Sequence, residues 1–479
     1  MSWVAEHWVL VGLFAVYTTF LLRNAATGGA QARDASGYFV GGRKLGGVAV
    51  GISFFATFAS TNSYVGHAGK SYAWGLPWLT LAVLIVLFTW LSWRAVAPRM
   101  RALAADFDAL TLPDLLALRF PHANGGNLLR VLAGVVVVFC SVLYLVAIFK
   151  GAGNVFELFL DVPYETAVGI TLLIVVAYTA IGGFVSVVRT DVVQGVMMVV
   201  GSIAMFYFVT RAAGGVTRLP ELAESPETAS LFQFGAAVPF AVLLGMSLSG
   251  AMKLLVDPRQ LSRFFALRDA HQVNVGVWVA VVGIALIQFC LFPIGVYAHF
   301  LLQGVTDTDR VVPMLITDPA VFPPVVADFL ILAIIAAAMS SMDSVLLVAA
   351  SVLYRDLAAV VRPSLPAVRF TRMAVVGFAV LSALLALDPP GGIVEITLFS
   401  GSLYAACFFP AVLLGLHWRR GSAAAVIVSM LVGVTVLLGW QATPWQATLH
   451  EVFPALVASV VAYVVVALFS PSDASAETA

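Results

Sequence analysis

The residue pattern best suited to bind a cation lies in the apolar run AIIAAAMSSMDSVLL. Ala337, Ser340 and Ser341 are spaced i, i+3 and i+4, so on a helix they share one face and present a backbone carbonyl and two hydroxyls. Hard cations such as sodium prefer oxygen ligands, and this face supplies part of such a set. Alternatively, each serine donates to the carbonyl one turn earlier, as serines in membrane helices commonly do.

Two other apolar runs carry polar or small residues in their middle. In GISFFATFASTNSYVGHAG, four polar residues follow one another from Ser60 to Ser63, and in AVLLGMSLSGAMKLL glycines and serines interrupt the run between Gly245 and Gly250. Transporters often bind solutes where a helix unwinds at mid-membrane, because freed carbonyls replace water there. Close helix packing is the alternative use of Gly and Ser. We expect both helices to be broken.

Lys253 places an ammonium group inside the second of these runs. A charge within an apolar segment is costly and is by default a candidate functional residue. A cation beside a solute site suits a carboxylate. Two alternatives remain open. Lys253 reaches the membrane interface with its flexible stem, or it forms an ion pair with Asp257 one turn later.

The elements that must position these residues are membrane helices. Of the 479 residues, 61% are apolar and only 10% are charged, whereas a soluble domain has about 25% charged residues. About 20 apolar residues span a bilayer. Thirteen segments meet this requirement, at approximately 7–22, 46–66, 76–97, 128–149, 165–182, 191–212, 235–256, 275–302, 325–353, 370–388, 393–417, 422–441 and 450–469. The composition therefore predicts an all-α, multi-pass protein whose partner is the lipid bilayer of the cell membrane.

The basic residues predict how these segments are oriented. Nineteen of the 25 Lys and Arg residues fall in loops after odd-numbered segments, five fall on the other side, and Lys253 lies within a segment. Basic loops stay in the cytoplasm. We therefore expect the N-terminus outside and the C-terminus in the cytoplasm.

Other functional classes find little support in the sequence. The net charge is zero and no domain is basic, which argues against a nucleic-acid partner. The seven histidines are scattered, and neither H-E-x-x-H nor G-x-S-x-G occurs. We expect no catalytic residues and no cofactor. A channel filter is not evident, and we do not expect a signalling domain after the last segment.

Several motifs together resemble the sodium/solute symporter family. YFVGGRKLGG (38–47) and ATFASTNSYVG (56–66) are similar to the entry and body of the family's first core helix, and TLPDLLALRF (111–120) matches a cytoplasmic loop motif. YTAIGGFVSVVRTDVVQG (178–195) is close to the family's most characteristic stretch. DPRQLSRFFALRD and AAAMSSMDS complete a set that extends over residues 38–415.

The resemblance implies a LeuT-like core of ten helices in two inverted five-helix repeats. This core covers 38–417, after an N-terminal helix and loop at 1–37. Two C-terminal helices follow at 418–469, and a disordered tail follows at 470–479. The family also implies that the protein functions as a monomer with two small partners, sodium and a solute.

The resemblance also implies the site residues. Five oxygens between the second and ninth segments would hold sodium, namely the carbonyls of Ala56, Ala59 and Ala337 and the hydroxyls of Ser340 and Ser341. Asp191 matches a family aspartate near the sodium route, although it would also suit a helix N-cap after Thr190. The substrate contacts expected are Ser60, Asn62, Ser63 and Lys253, with Tyr64, Trp74, Trp78, Tyr404 and Phe408 as candidate walls.

The identity of the solute is predicted from where this chain departs from the sugar carriers of the family. Those carriers have an aromatic gate residue near the position of Lys253 and a lysine in the eighth segment, where this chain has only Gln288 as a polar residue. We therefore predict sodium-coupled import of a small monocarboxylate or similar organic anion by alternating access. The alternatives are proton coupling through Asp191 or Asp343, and sodium-coupled transport of a neutral amino acid, vitamin or sugar.

Overall fold

The computed structural model describes residues 8–31, 35–121, 127–418 and 420–470. Within these ranges the regular structure is helical, apart from one isolated parallel bridge between Leu45 and Leu267. The main helices are α1 (Trp8–Gln31), α2 (Gly47–Phe58), α3 (Asn62–Trp74), α4 (Leu76–Asp106), α5 (Leu128–Leu160), α6 (Tyr164–Ala212), α7 (Phe240–Val256), α8 (Pro258–Phe265), α9 (Ala270–Leu291), α10 (Pro324–Val352), α11 (Ala367–Ala386), α12 (Ile393–Phe409), α13 (Ala423–Gln441) and α14 (Val452–Phe469).

The number of membrane crossings agrees with the sequence prediction once α6 is considered. Eleven helices of the described chain are long and apolar enough to cross a membrane, and α2 with α3 forms a twelfth, bent span. Helix α6 has 49 residues, which is about 73 Å of helix against a hydrocarbon core of about 30 Å. Gly183 interrupts it with φ 69° and ψ −179°, a conformation that glycine adopts readily. Helix α6 therefore contains both the fifth and the sixth predicted segments.

The predicted break in the second segment is confirmed. Helices α2 and α3 meet at an angle of 56°, and Ala59 between them is extended, with φ −72° and ψ 110°. Helical hydrogen bonding begins again after the break, where the amide of Ser63 donates to the carbonyl of Ser60 at 2.9 Å. The amide of Asn62 donates to the Ser60 hydroxyl at 3.1 Å. Carbonyls at the end of α2 are thereby left without their usual helical partners.

The predicted break between Gly245 and Gly250 is wrong, because α7 continues through these residues to Val256. The small residues serve packing instead. A Cβ on Gly245 would clash with His450, and one on Gly250 would meet Leu81 and Leu398. The chain leaves the helix later, at Asp257, which is extended and caps α8 by accepting a bond from the Arg259 amide at 2.9 Å.

Helix α10 lies at the centre of the bundle. Every residue from Leu330 to Val352 is buried, although many lie in the apolar thickness that lipid could have covered. It packs against α2, α5, α6 and α11, whereas α13 and α14 pack on each other and on α12. A helix buried on all sides can place polar groups next to several partners at once, and this arrangement positions the Ser340 and Ser341 pair.

Candidate functional site

The two serines of α10 face the broken end of α2. The hydroxyl of Ser340 donates to the carbonyl of Ala56 at 2.7 Å, and that of Ser341 donates to the carbonyl of Thr57 at 3.0 Å. Both serines are fully buried. The alternative in which each serine bonds one turn back on its own helix is therefore wrong. Two hydroxyls of α10 therefore form hydrogen bonds with two carbonyls at the end of α2.

The remaining predicted sodium ligands flank these contacts. Ala59 is the extended residue at the break, one turn after Ala56, and Ala337 lies on α10 one turn before Ser340 and Ser341. Both are fully buried. The structure thus joins Ala56 with Ser340 directly and adds the Thr57 carbonyl, which was not predicted from the sequence.

Asp191 lies in a buried charged cluster behind these contacts. Its Oδ2 accepts from the hydroxyl of Ser53 at 2.6 Å and from Nη2 of Arg263 at 3.1 Å. The same Nη2 donates to the Thr57 hydroxyl at 2.8 Å and to Ser344 of α10 at 2.5 Å. An ion pair buried this deeply is stable only when its hydrogen bonds are completed, as most are here.

Two oxygens of this cluster remain available to a cation. In the described part of the chain, Oδ1 of Asp191 and Oδ2 of Asp343 are buried and have no hydrogen-bond partner. Unpaired buried oxygens of this kind are rare in folded proteins. Asp191 is not a helix N-cap, because it lies in the interior of α6, beyond the interruption at Gly183. Asp343 faces the bundle interior, as predicted, and is fully buried.

A cavity of about 20 Å³ lies beside the break, which is space for about one water molecule. A solute of several heavy atoms therefore enters only if the surrounding helices move apart. The cavity is lined by residues of α2, α3, α4, α5, α7, α8 and α12, namely Phe58, Asn62, Ser63, His67, Leu81, Ile85, Tyr144, Gly250, Lys253, Arg259, Thr397 and Leu398.

Lys253 is buried in this cavity and is only 4% exposed. Its Nζ donates to the backbone carbonyl of Thr397 at 2.7 Å and lies 4.5 Å from the ring centre of Tyr144. Asp257, its predicted alternative partner, instead binds Arg259 at 2.6 Å. In the described chain no carboxylate forms an ion pair with Lys253. Both the interface position and the pairing with Asp257 are therefore wrong.

The other predicted substrate residues divide into two groups. Asn62 and Ser63 line the cavity. Ser60 does not line the cavity. Its hydroxyl accepts from the Asn62 amide at 3.1 Å and from the Tyr144 hydroxyl at 3.2 Å. None of the five aromatic side chains proposed as walls is among the lining residues.

The lining residues that were not predicted from the sequence include Tyr144, Arg259 and His67. Tyr144 lies in the middle of a mostly apolar helix, and its local sequence does not distinguish it from a packing residue. Arg259 follows the apolar run and looked like an ordinary cytoplasmic arginine. His67 had a usable signal, because it is a buried histidine one turn beyond the polar run that breaks the helix.

A model of the sodium:solute symporter family matches residues 38–433. The osmoregulated proline transporter OpuE of Bacillus subtilis is 29% identical over an alignment of 458 residues, which covers 92% of this chain and 91% of that protein. The sodium/pantothenate symporter of Escherichia coli is 29% identical over an alignment of 472 residues, which covers 95% of this chain and 94% of that protein.

Solved structures show the fold. The substrate-bound, outward-open state of a Na+-coupled sialic acid symporter aligns with a TM-score of 0.80 over 98% of both chains at 18% identity. MhsT in complex with L-phenylalanine aligns with a TM-score of 0.56 at 15% identity, over 88% of this chain and 98% of that one. At these identities the likeness concerns the fold alone, and the LeuT-like, all-helical architecture predicted from the sequence is confirmed.

Proposed function

Since this chain belongs to the sodium:solute symporter family, we propose that it imports a small organic anion, most simply a monocarboxylate, together with sodium. The protein is a multi-pass membrane transporter, and its proposed place is the cell membrane, with the N-terminus outside and the C-terminus in the cytoplasm. The observation that carries the proposal is the approach of two buried serine hydroxyls to the free carbonyls of a broken helix.

Sodium would bind between α2 and α10. The proposed ligands are the carbonyls of Ala56, Ala59 and Ala337 and the hydroxyls of Ser340 and Ser341. The two hydroxyls donate to backbone carbonyls of α2. A bound cation needs only a rotation of each hydroxyl, after which oxygens from both helices face the ion. Such a site requires that α2 and α10 stay close together.

Asp191 would serve the ion on its way to or from this site. Its unpaired Oδ1 can attract a cation. Thr57 connects this cluster to the sodium site, because its hydroxyl accepts from Arg263 and its carbonyl accepts from Ser341. The same geometry suits a proton carrier, with Asp191 or Asp343 as its acceptor. Proton coupling is therefore the second candidate mechanism.

Lys253 supports an anionic solute. It is buried in the cavity beside the break and has a carbonyl, not a carboxylate, as its partner. A buried cation without a counter-charge is unfavourable, and a solute carboxylate would supply that charge. Asn62 and Ser63 would hydrogen-bond the solute, whereas Ser60 would act indirectly by holding Asn62 and Tyr144. Pantothenate, named for one relative, is a monocarboxylate.

Transport would follow alternating access. Sodium entering from outside would bridge α2 and α10, the solute would bind beside the break, and closure would then open the cavity towards the cytoplasm. A ligand shifts such an equilibrium only by its different affinities for the two states. Each charge that crosses a potential of about 100 mV supplies about 2.3 kcal/mol, and the sodium gradient adds to this.

Uptake into proteoliposomes tests the proposal. Labelled carboxylates, amino acids and sugars would be compared with and without an inward sodium gradient. We expect sodium-dependent uptake of a carboxylate, and loss of that dependence in Ser341→Ala. Ser429→Ala is the matched control, because Ser429 bonds only within α13. Uptake that does not depend on sodium, or whose sodium dependence Ser341→Ala leaves unchanged, would refute the proposed sodium site.

Lys253→Met separates the candidate solutes. It should abolish uptake of an anion and spare that of a neutral solute. Equal transport of both by Lys253→Met would remove the argument for a carboxylate and favour a neutral amino acid, vitamin or sugar.

A further inference from the structure

Two buried cations lie against one aromatic ring of the cavity. Nζ of Lys253 is 4.5 Å from the ring centre of Tyr144, and the guanidinium carbon of Arg259 is 3.9 Å from the same centre. Both side chains line the cavity and are at most 4% exposed. Contact with the ring partly stabilises the two cations, but it does not neutralise them.

The counter-charges around the ring are unequal. Asp257 accepts from Nε and Nη2 of Arg259 at 3.0 and 2.6 Å, so that arginine is neutralised by its own neighbour. Lys253 has only the Thr397 carbonyl. Among the described residues that line the cavity, Lys253 therefore carries the one positive charge that has no matching carboxylate.

This positive region extends to the proposed sodium ligands. Nη1 of Arg259 lies 3.5 Å from the carbonyl oxygen of Thr57, the same oxygen that accepts from Ser341 at 3.0 Å. The Thr57 carbonyl therefore links a residue of the cavity to Ser341, one of the proposed sodium ligands. Water screens charges poorly inside a protein, so a charge in the cavity acts on a cation at Ser341.

We propose that the unmatched charge of Lys253 makes sodium binding depend on the solute anion. This inference rests on the proposed function, and it adds a mechanism of coupling. With the cavity empty, the unmatched charge of Lys253 repels the incoming sodium. A bound carboxylate neutralises Lys253 and removes the repulsion, so each ligand raises the affinity for the other. By linkage the two effects are equal, and coupling of this kind is typically about 5- to 150-fold.

The same charge selects among carboxylates. A monocarboxylate neutralises Lys253 fully. The ammonium group of an amino acid would be brought into a cavity that already contains two cations and, in the described chain, only the Asp257 carboxylate, which Arg259 occupies. The site therefore favours a monocarboxylate without an amino group, such as propionate, over the amino acid of the same size, alanine.

Sodium titration of the purified protein tests this inference. Binding of ²²Na⁺ would be measured without any organic anion and again with saturating propionate. We expect propionate to raise the sodium affinity of the wild type about fivefold or more. Lys253→Met should bind sodium about fivefold more tightly than the wild type without propionate, and propionate should change its affinity little.

Three further proteins make the result specific. Lys253→Arg keeps the charge and should keep the dependence on propionate. Arg218→Gln removes a positive charge that pairs with Glu221 in an exposed loop, and it should behave as the wild type. Ser341→Ala should lose the signal, which shows that the measured ion occupies the proposed site.

Two results would overturn the inference in different ways. Equal sodium affinities in the wild type and Lys253→Met, with sodium bound in both, would show that Lys253 does not oppose the ion. Absence of sodium binding in every protein, with or without propionate, would instead overturn the proposed function itself.

Discussion

The hydroxyl of Ser340 donates to the carbonyl oxygen of Ala56 at 2.7 Å, joining the middle of α10 to the last turn of α2. In an unbroken helix the Ala56 carbonyl would already accept from an amide of its own chain. The polar run at Ser60 to Ser63 ends α2 and leaves this carbonyl available to Ser340. The bond also makes the Ser340 hydroxyl a group that a cation can recruit.

Substitution of Ser340 should weaken sodium activation of transport. Ser340→Ala removes one proposed ligand, and a bond to a charged group contributes about 1.5–3 kcal/mol. The sodium concentration for half-maximal uptake should rise at least about tenfold, with a smaller change in the rate at saturating sodium. Ser459→Ala is a suitable control, because its hydroxyl bonds within α14. An unchanged sodium dependence would remove Ser340 from the ligand set.

Removal of sodium should destabilise the protein. A ligand that binds only the folded state stabilises it by about 1.4 kcal/mol at ten times its dissociation constant. Thermal unfolding in detergent should therefore occur at a lower temperature in potassium than in sodium at equal ionic strength. Ser341→Ala should show no such difference. A sodium shift of equal size in that variant would mean that the ion binds elsewhere.

Loss of one partner from the Asp191–Arg263 pair should harm the protein more than loss of both. Arg263→Gln leaves a buried carboxylate without its counter-charge, which costs about 3–5 kcal/mol. The double variant with Asp191→Asn leaves no unpaired charge and should unfold at a higher temperature than Arg263→Gln alone. Melting curves of the three variants decide this. A double variant less stable than either single variant would show that an unpaired buried charge is not the main cause of the destabilisation.

Close packing of α2 on α9 should not tolerate a side chain at Gly47. A Cβ there would clash with the backbone carbonyl of Gln272, and overpacking of this kind costs about 1–3 kcal/mol. Gly47→Ala should therefore lower the unfolding temperature, whereas Gly12→Ala, which meets nothing within 4 Å, should not. Equal unfolding temperatures for the two variants would mean that α2 can shift away from α9 without loss.

The sequence predicted the elements better than the contacts between them. Thirteen apolar runs and the polar run at Ser60 to Ser63 were readable, because lipid-facing length and four successive polar residues leave few alternatives. The prediction of a break near Gly245 was wrong, because glycine and serine occur both in closely packed helices and in unwound ones. Tyr144 and Arg259 were missed for another reason. Their role arises only when α5 and α8 meet beside Lys253, and no local pattern encodes that meeting.

Sodium flux driven by the solute is the most direct test of coupled transport. Proteoliposomes would receive an inward gradient of the carboxylate that the uptake panel identifies, with equal sodium on both sides and ²²Na⁺ as tracer. We expect transient accumulation of ²²Na⁺ above equilibrium in the wild type, and none in Ser341→Ala. Solute uptake without any movement of ²²Na⁺ would contradict sodium coupling.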